Sequence, residues 1–287
     1  MKIDRLAFIK VLGVGVMTVF LSSVANAGSV GMVLDITGSA TAQSGSERAP
    51  LDIATPLQVE TRISLAKGSE ISFVFYPARE QFTVAGPAVF WLGEQGVKLL
   101  SGVAPRGKKL QDDRAHVVLG FQNQVVPAAF SMKTIYGSST APKLQKPVEG
   151  ETVLSDQPEF EWAAVESGPV ELSIWHGETV VYQQRVEGAT LALPADVALT
   201  RGQEYRWRVA SNVAQGRKVS NGHFTVASAQ LRADVQRVKP VGDASTSDWV
   251  IYAMALDQAG MRSEAGIVWR RVAQRRPDSH KLRELAQ

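Results

Sequence analysis

The chain of 287 residues contains no cysteine, which excludes disulfides, thiolate metal sites and thiol chemistry. Its stability must therefore come from packing. Histidine is also scarce: His116, His176, His223 and His280 lie far apart in the sequence and show no metal-ligand spacing. On this basis the sequence predicts neither a metal nor a cofactor.

Long apolar segments are also lacking, since a membrane-spanning helix needs about 20 apolar residues and no run reaches that length. The clearest run, residues 11–21, follows a basic stretch and precedes the small residues Ala25 and Ala27. This pattern is typical of a secretory signal peptide. We expect residues 1–27 to be cleaved after Ala27, leaving a periplasmic or secreted protein with no stable membrane span.

An excess of charge is absent as well. The predicted signal peptide holds three of the 31 basic residues and one of the 28 acidic ones, so the mature chain is nearly neutral. Nucleic-acid-binding proteins usually carry a marked basic excess. The balance therefore predicts no nucleic-acid partner.

Residues 28–136 contain short alternating apolar runs broken by glycine and proline, a pattern that favours strands. Residues 70–76 and 81–85 form the clearest pair, joined by a short loop, and residues 88–92 supply a further strand. This region is predicted to be a β-sandwich or a small barrel.

The segment Gly31-Met-Val-Leu-Asp-Ile-Thr-Gly-Ser-Ala40 resembles the opening strand and turn of the FecR domain. Arg62-Ile63, followed by Gly68, resembles the entry into that family's central hairpin, and residues 97–103 resemble its closing strand. The resemblance implies a regulatory or envelope-sensing setting. It does not imply anti-sigma activity, because the cytoplasmic sigma-binding region of such regulators has no counterpart here.

A linker is predicted at residues 137–146, where small, polar and proline residues predominate. Residues 147–227 then alternate between apolar and polar positions and predict a seven-stranded antiparallel sandwich. The segment resembles a fibronectin type III or immunoglobulin-like domain. We expect residues 170–175 to pair with residues 204–209, with Glu171 sharing an outer face with Arg206 or Arg208.

From residue 228 to 287 the apolar period becomes helical. Helices are predicted at residues 230–238, 248–258, 262–275 and 281–285. The middle two resemble one tetratricopeptide repeat, with Trp249, Tyr252, Leu256, Trp269 and Val272 in a shared seam. The resemblance implies that Val250, Met254 and Asp257 face a groove and contact a partner, with an exposed face that binds nothing as the alternative.

Catalytic patterns are weak. Ser64 and Lys67 form an S-x-x-K pair in a strand-and-turn context without its companion motifs, so a surface turn is the favoured interpretation. The carboxylate pairs Glu159/Glu161 and Asp112/Asp113 are interpreted as a solvated strand face and a polar loop.

Each of the six tryptophans is a candidate for stacking on a ligand, but five are interpreted as core residues. Trp175 is the exception, because it falls on the polar face opposite Leu172 and Ile174. It is the predicted ligand contact.

Together these patterns predict a non-enzymatic envelope protein of FecR-domain type that binds or scaffolds an envelope protein partner. A carbohydrate-binding or peptidoglycan-binding protein, with cell-wall glycan as partner, is the alternative. A hydrolase is the third hypothesis, and no nucleophile and base in the sequence support it.

Overall fold

The computed structural model describes residues 29–122, 141–163, 168–213 and 216–286. The chain is mainly β, with 43% strand and 23% helix, which confirms the predicted class of antiparallel β modules with a helical C-terminal region. The predicted signal peptide and residues 137–140 of the predicted linker lie outside the described residues. No helix in the described ranges is long and apolar enough to cross a membrane.

Ten strands form the first sandwich. They are β1 (Ser29–Thr37), β2 (Ala40–Ser44), β3 (Glu47–Pro50), β4 (Pro56–Gln58), β5 (Thr61–Leu65), β6 (Glu70–Phe75), β7 (Glu80–Ala85), β8 (Ala88–Leu92), β9 (Val97–Ser101) and β10 (Arg106–Lys109). Sheet A has the order β10-β7-β6-β1-β4 and sheet B the order β3-β2-β5-β8-β9. All pairs are antiparallel, and β6 and β7 form the predicted hairpin.

Aromatic packing joins the two sheets face to face. The ring of Phe73 in sheet A stacks on Phe90 in sheet B, with centroids 5.5 Å apart, and on Phe82 of its own sheet at 5.7 Å. Phe73 and Phe90 are fully buried. Alternation in β8 explains this arrangement, because Ala88, Phe90 and Leu92 point inward while the residues between them point out.

The described parts of the chain also contain five helices. They are α1 (Asp112–Gln122), α2 (Ala229–Val238), α3 (Thr246–Gln258), α4 (Arg262–Arg275) and α5 (His280–Leu285). The last four match the predicted helices to within two residues. The first was wrongly assigned to a polar loop, although Asp112 and Asp113 lie in its first turn, where carboxylates interact favourably with the helix dipole.

The helices form a layer on the outer face of sheet A, named here the helix layer. Met32 in β1 and Val74 in β6 are cross-strand neighbours, and both are buried. Helix α3 packs against β1 and also against α1, α2 and α4. One hydrophobic core therefore runs from the first sandwich into the helices. The helical region predicted at residues 228–287 therefore packs on the first sandwich, a contact that was not predicted from the sequence.

Two carboxylates of the first sandwich fasten the end of the helix layer. Asp35 accepts two hydrogen bonds from the Arg276 guanidinium, from Nε and Nη2, each at 2.8 Å. Asp52 accepts one from the Lys281 backbone N–H at 2.9 Å and one from the Ser279 hydroxyl. Asp52 thereby helps to cap α5 from another part of the chain.

Eight strands form the second sandwich. They are β11 (Leu144–Lys146), β12 (Glu151–Val153), β13 (Glu159–Trp162), β14 (Val170–His176), β15 (Thr179–Val186), β16 (Thr190–Ala192), β17 (Glu204–Val213) and β18 (Gly216–Val226). The two sheets have the orders β11-β13-β16 and β12-β18-β17-β14-β15. The predicted pairing of residues 170–175 with 204–209 is confirmed by β14 and β17.

Two details differ from the prediction of seven antiparallel strands. Residues 144–146, assigned to the linker, form β11, because Leu144 pairs opposite Trp162 despite its polar neighbours. Strand β12 adds an eighth strand that runs parallel to β18. The predicted outer-face ion pair is present: an Arg208 nitrogen lies 3.9 Å from the Glu171 carboxylate.

Tyr205 lies near the start of β17, and its hydroxyl accepts a hydrogen bond from the Thr200 backbone N–H at 2.8 Å. This contact has the geometry of the tyrosine corner of immunoglobulin-like sandwiches. Trp162 and Trp207 fill the core beneath it and are almost fully buried. The second sandwich therefore has a hydrophobic core that is separate from the core of the first sandwich.

The second sandwich joins the helix layer through Glu151, which is fully buried. Its carboxylate accepts hydrogen bonds from the backbone N–H and the hydroxyl of Ser263, in the first turn of α4, and from the Val148 backbone N–H at 2.7 Å. The N-cap residue of α4, Met261, makes no side-chain cap hydrogen bond. Glu151 thus supplies the cap from the neighbouring module.

Candidate functional site

The predicted groove contacts are not available to a partner. Val250 and Met254 are 0% and 1% exposed, because α3 is enclosed by β1, α1, α2 and α4. Only Asp257 is exposed, and its carboxylate accepts a 2.8 Å hydrogen bond from the Trp269 indole. The interpretation of Val250 and Met254 as partner contacts was wrong, since this helix is apolar on several sides and is buried accordingly. The seam itself, including Trp249 and Leu256, is buried as predicted.

Trp175 lies half-buried at the end of β14, on the predicted face. The guanidinium of Arg208 lies over its ring, 4.5 Å from the centroid. The neighbouring His176 is hydrogen-bonded to Gln203. One face of the Trp175 indole is therefore occupied by the protein, and its role as a ligand contact stays a prediction.

The structure gives no support to the weak catalytic pattern found in the sequence. Ser64 lies in β5, and Lys67 lies in the exposed turn that follows, so the S-x-x-K pair occupies the strand-and-turn context expected from the sequence. No group of three or more histidine, aspartate or glutamate side chains suited to a metal ion occurs within the described ranges.

A cleft of about 660 Å³ opens where the helix layer stops short of the edge of sheet A. Strands β7 and β10 extend beyond the helices, so their outward side chains form its floor. Arg106 pairs opposite Thr83, and Lys108 pairs opposite Gln81, which places all four on one face of the sheet. We name this feature the basic cleft.

The wall of the basic cleft is built from the helix layer. Arg114 of α1 forms an ion pair with Asp248 of α3, and the two side chains are only about a quarter exposed. Ser245 caps α3: its hydroxyl accepts a hydrogen bond from the Asp248 N–H, and the Asp248 carboxylate accepts one from the Ser245 N–H. This reciprocal capping box holds the wall in place.

Asp248 stays ionised in this wall. Burial alone would raise the pKa of its carboxyl group, but hydrogen bonds from Arg114 and Ser245 outweigh that effect and hold the pKa below its usual range. The positive charge of Arg114 is therefore already neutralised by a fixed partner.

The charge of the basic cleft comes from β10. Four cations, Arg106, Lys108, Lys109 and Arg114, line it against two carboxylates, Glu70 and Asp248. Within the described parts of the chain only Arg114 of these cations forms an ion pair. The three side chains of β10 stay exposed and unpaired, and the cleft carries a net positive charge. Its charge is complementary to that of an anionic group.

The sequence contained only part of this signal. The run Arg106-Gly-Lys-Lys109 is visible, but one short basic run is usually a solvated surface. The wall comes from α1, which was not predicted, and from α3, more than 130 positions further along the chain. The near balance of 31 basic and 28 acidic residues also conceals local clustering, because net charge does not show where charges gather.

No known sequence family matches the chain, and no curated protein does. Among solved structures, an engineered protein matches at 17% identity and a TM-score of 0.26, covering 30% of this chain and 20% of its own. A likeness at that level carries no argument about fold or function.

Proposed function

We propose that the chain is a non-catalytic binding and scaffolding protein of the bacterial envelope, and that the basic cleft holds an acidic segment of a partner protein. The unpaired cations of β10, set beside a rigid helical wall, are the observation that carries this proposal. Such complementary charges steer association and fix the orientation of a partner.

The position of β10 supports an extended peptide as the bound form. β10 is the edge strand of sheet A and pairs only with β7, so its other backbone edge is free within the described chain. Exposed lysines on an edge strand discourage uncharged strands from pairing there. An acidic strand would instead find cationic side chains and free backbone groups together.

The envelope setting rests on the N-terminal sequence. The basic, apolar and small-residue pattern that ends at Ala27 favours export. The resemblance of the first module to the FecR domain favours a sensing or regulatory role there. In this proposal the second sandwich is a spacer that Glu151 fixes to the helix layer.

The test is titration of the full chain with a fluorescein-labelled decapeptide of alternating glutamate and valine, followed by fluorescence anisotropy at low salt. The variant Arg106→Ala/Lys108→Ala removes two unpaired charges from the cleft. Each is expected to contribute about 0.7 kcal/mol, so affinity falls about tenfold. Binding is also expected to weaken as salt rises.

Lys143→Ala/Arg185→Ala is the matched control, because it removes one lysine and one arginine that are exposed and unpaired in the described second sandwich. Its affinity should equal that of the unmodified chain. Equal losses in the two double variants would mean that only overall charge matters, and the assignment of the cleft would fail.

A further inference from the structure

Trp91 occupies an outward position on the opposite side of the molecule from the helix layer. It lies in β8 between the inward-facing Phe90 and Leu92, so its own side chain projects from the outer face of sheet B. The indole is half-buried and lies outside the hydrophobic core. Packing of the sandwich therefore does not explain this tryptophan.

The ring of Trp91 reaches along its own chain to Gly93. A side chain at Gly93 would begin 2.7 Å from the Trp91 ring, so the absence of a Cβ there makes room for the indole. Within the described residues no guanidinium or aromatic ring is stacked on it, whereas Arg208 covers Trp175 and Arg271 covers Trp249 at 3.8 Å. Trp91 is thus half-buried but covered by neither a cation nor a second ring.

Side chains of both positive and negative charge lie around the Trp91 ring. Arg62 in β5 and Lys98 in β9 are the direct cross-strand neighbours of Trp91, and both are exposed. A shallow cavity of about 480 Å³ beside the ring adds Glu60, Glu94 and Gln95. Neither cation forms an ion pair among the described residues, so all of these donors and acceptors remain available.

We propose that Trp91 and its neighbours form a binding site for a β-1,4-linked oligosaccharide. Sugar rings in such a chain present C–H groups on their faces, which match the negative face of an indole, and hydroxyl groups at their edges. Hydroxyls need donors and acceptors together, which Arg62, Lys98 and Glu94 provide. A phosphate-rich ligand is disfavoured by the carboxylates of Glu60 and Glu94, and the flat ribbon of a β-1,4 glycan fits an outer sheet face.

The site is separate from the basic cleft, because it lies on sheet B and the cleft on sheet A. The two proposals can therefore succeed or fail independently. If both hold, one protein would bind a glycan and a protein partner on opposite faces of a single sandwich.

The test is titration of the full chain with chitotetraose and, separately, with cellotetraose, followed by saturation-transfer NMR of the sugar. We expect at least one to bind at millimolar or lower concentration. Trp91→Ala should weaken that binding about tenfold or more, since it removes the stacking surface. Circular dichroism should show an unchanged fold, because the residue is outside the core.

Two further variants separate stacking from general damage. Gly93→Ala keeps the indole but displaces it, and we expect a loss of several-fold. Ile267→Ala removes an exposed apolar side chain of α4, away from sheet B, and should leave the affinity unchanged. The proposal is overturned if neither sugar binds, if Trp91→Ala binds like the unmodified chain, or if Trp175→Ala rather than Trp91→Ala causes the loss.

Discussion

The two sandwiches differ in how they complete their cores. The second buries Trp162, Trp207 and Phe224 between its own sheets and needs no other module for that core. The first also has an apolar outer face on sheet A, including Met32 and Val74, which only the helix layer covers. One module is self-sufficient, and the other depends on residues near the far end of the chain.

The largest expected effect comes from separating the modules. Residues 141–227 alone should fold and melt cooperatively, because their core is their own. Residues 241–287 alone should be largely unfolded, since Val250 and Met254 would lose the strand and helices that bury them. Circular dichroism and sedimentation of both fragments check this. A cooperative helical monomer for residues 241–287 would contradict the dependence described here.

An intermediate effect is expected at the junction between the modules. Glu151→Ala leaves the Ser263 and Val148 N–H groups without their acceptor and should lower the free energy of unfolding by about 1–3 kcal/mol. The nearby Glu264 offsets part of this loss, because burial and the Glu151 charge raise the pKa of its carboxyl group. Denaturant unfolding followed by circular dichroism measures the change.

Glu149→Ala is the control for the junction, because Glu149 is exposed and contacts His223 within the second sandwich. Its effect should stay below about 0.5 kcal/mol. An equal loss of unfolding free energy in the two variants would show that the cap on α4 contributes little to the stability of the junction.

The smallest effect is a pH dependence at the wall of the basic cleft. The folded pKa of Asp248 lies below its unfolded value of about 3.9, so its stabilising contribution is complete above about pH 4 and is lost as the pH falls through the folded pKa. Asp248→Asn should cost about 1 kcal/mol at pH 7 and nearly nothing at the acid end. Thermal melts across pH 2–7 measure this.

Asp243→Asn serves as the control for the acid melts, because Asp243 is exposed and forms no ion pair among the described residues. Its stability should follow that of the unmodified chain at every pH. A constant cost for Asp248→Asn across the whole range would instead mean that the charge of the Asp248 carboxylate does not contribute to stability.

The sequence was sufficient wherever one apolar period dominates. The strands β14 and β17, the helices α3 and α4, and the seam through Trp249 and Leu256 were predicted because alternation or helical spacing marks them. Helix α1 was missed because Val117, Val118 and Leu119 form a short apolar run that also suits a strand.

What the sequence did not reveal is which surfaces meet. The spacing of apolar residues in α3 does not show that sheet A covers this helix. Apolar residues such as Val250, Ile251 and Met254 do lie on several sides of it, which indicates burial on several sides. Trp91 was counted with the core because every residue of β8 is apolar, so alternation could not assign its face. The basic cleft joins three distant segments, and no local motif predicts that.

The return of the chain to sheet A has a consequence for synthesis. A ribosome making about 5–20 residues per second needs roughly 7 to 27 s to pass from the end of β10 to the start of α3. Throughout that interval Met32 and Val74 lack the cover of α3, while the second sandwich, made in between, is able to fold. A nascent chain with such a face is a substrate for chaperones, and we expect it to aggregate where they are depleted.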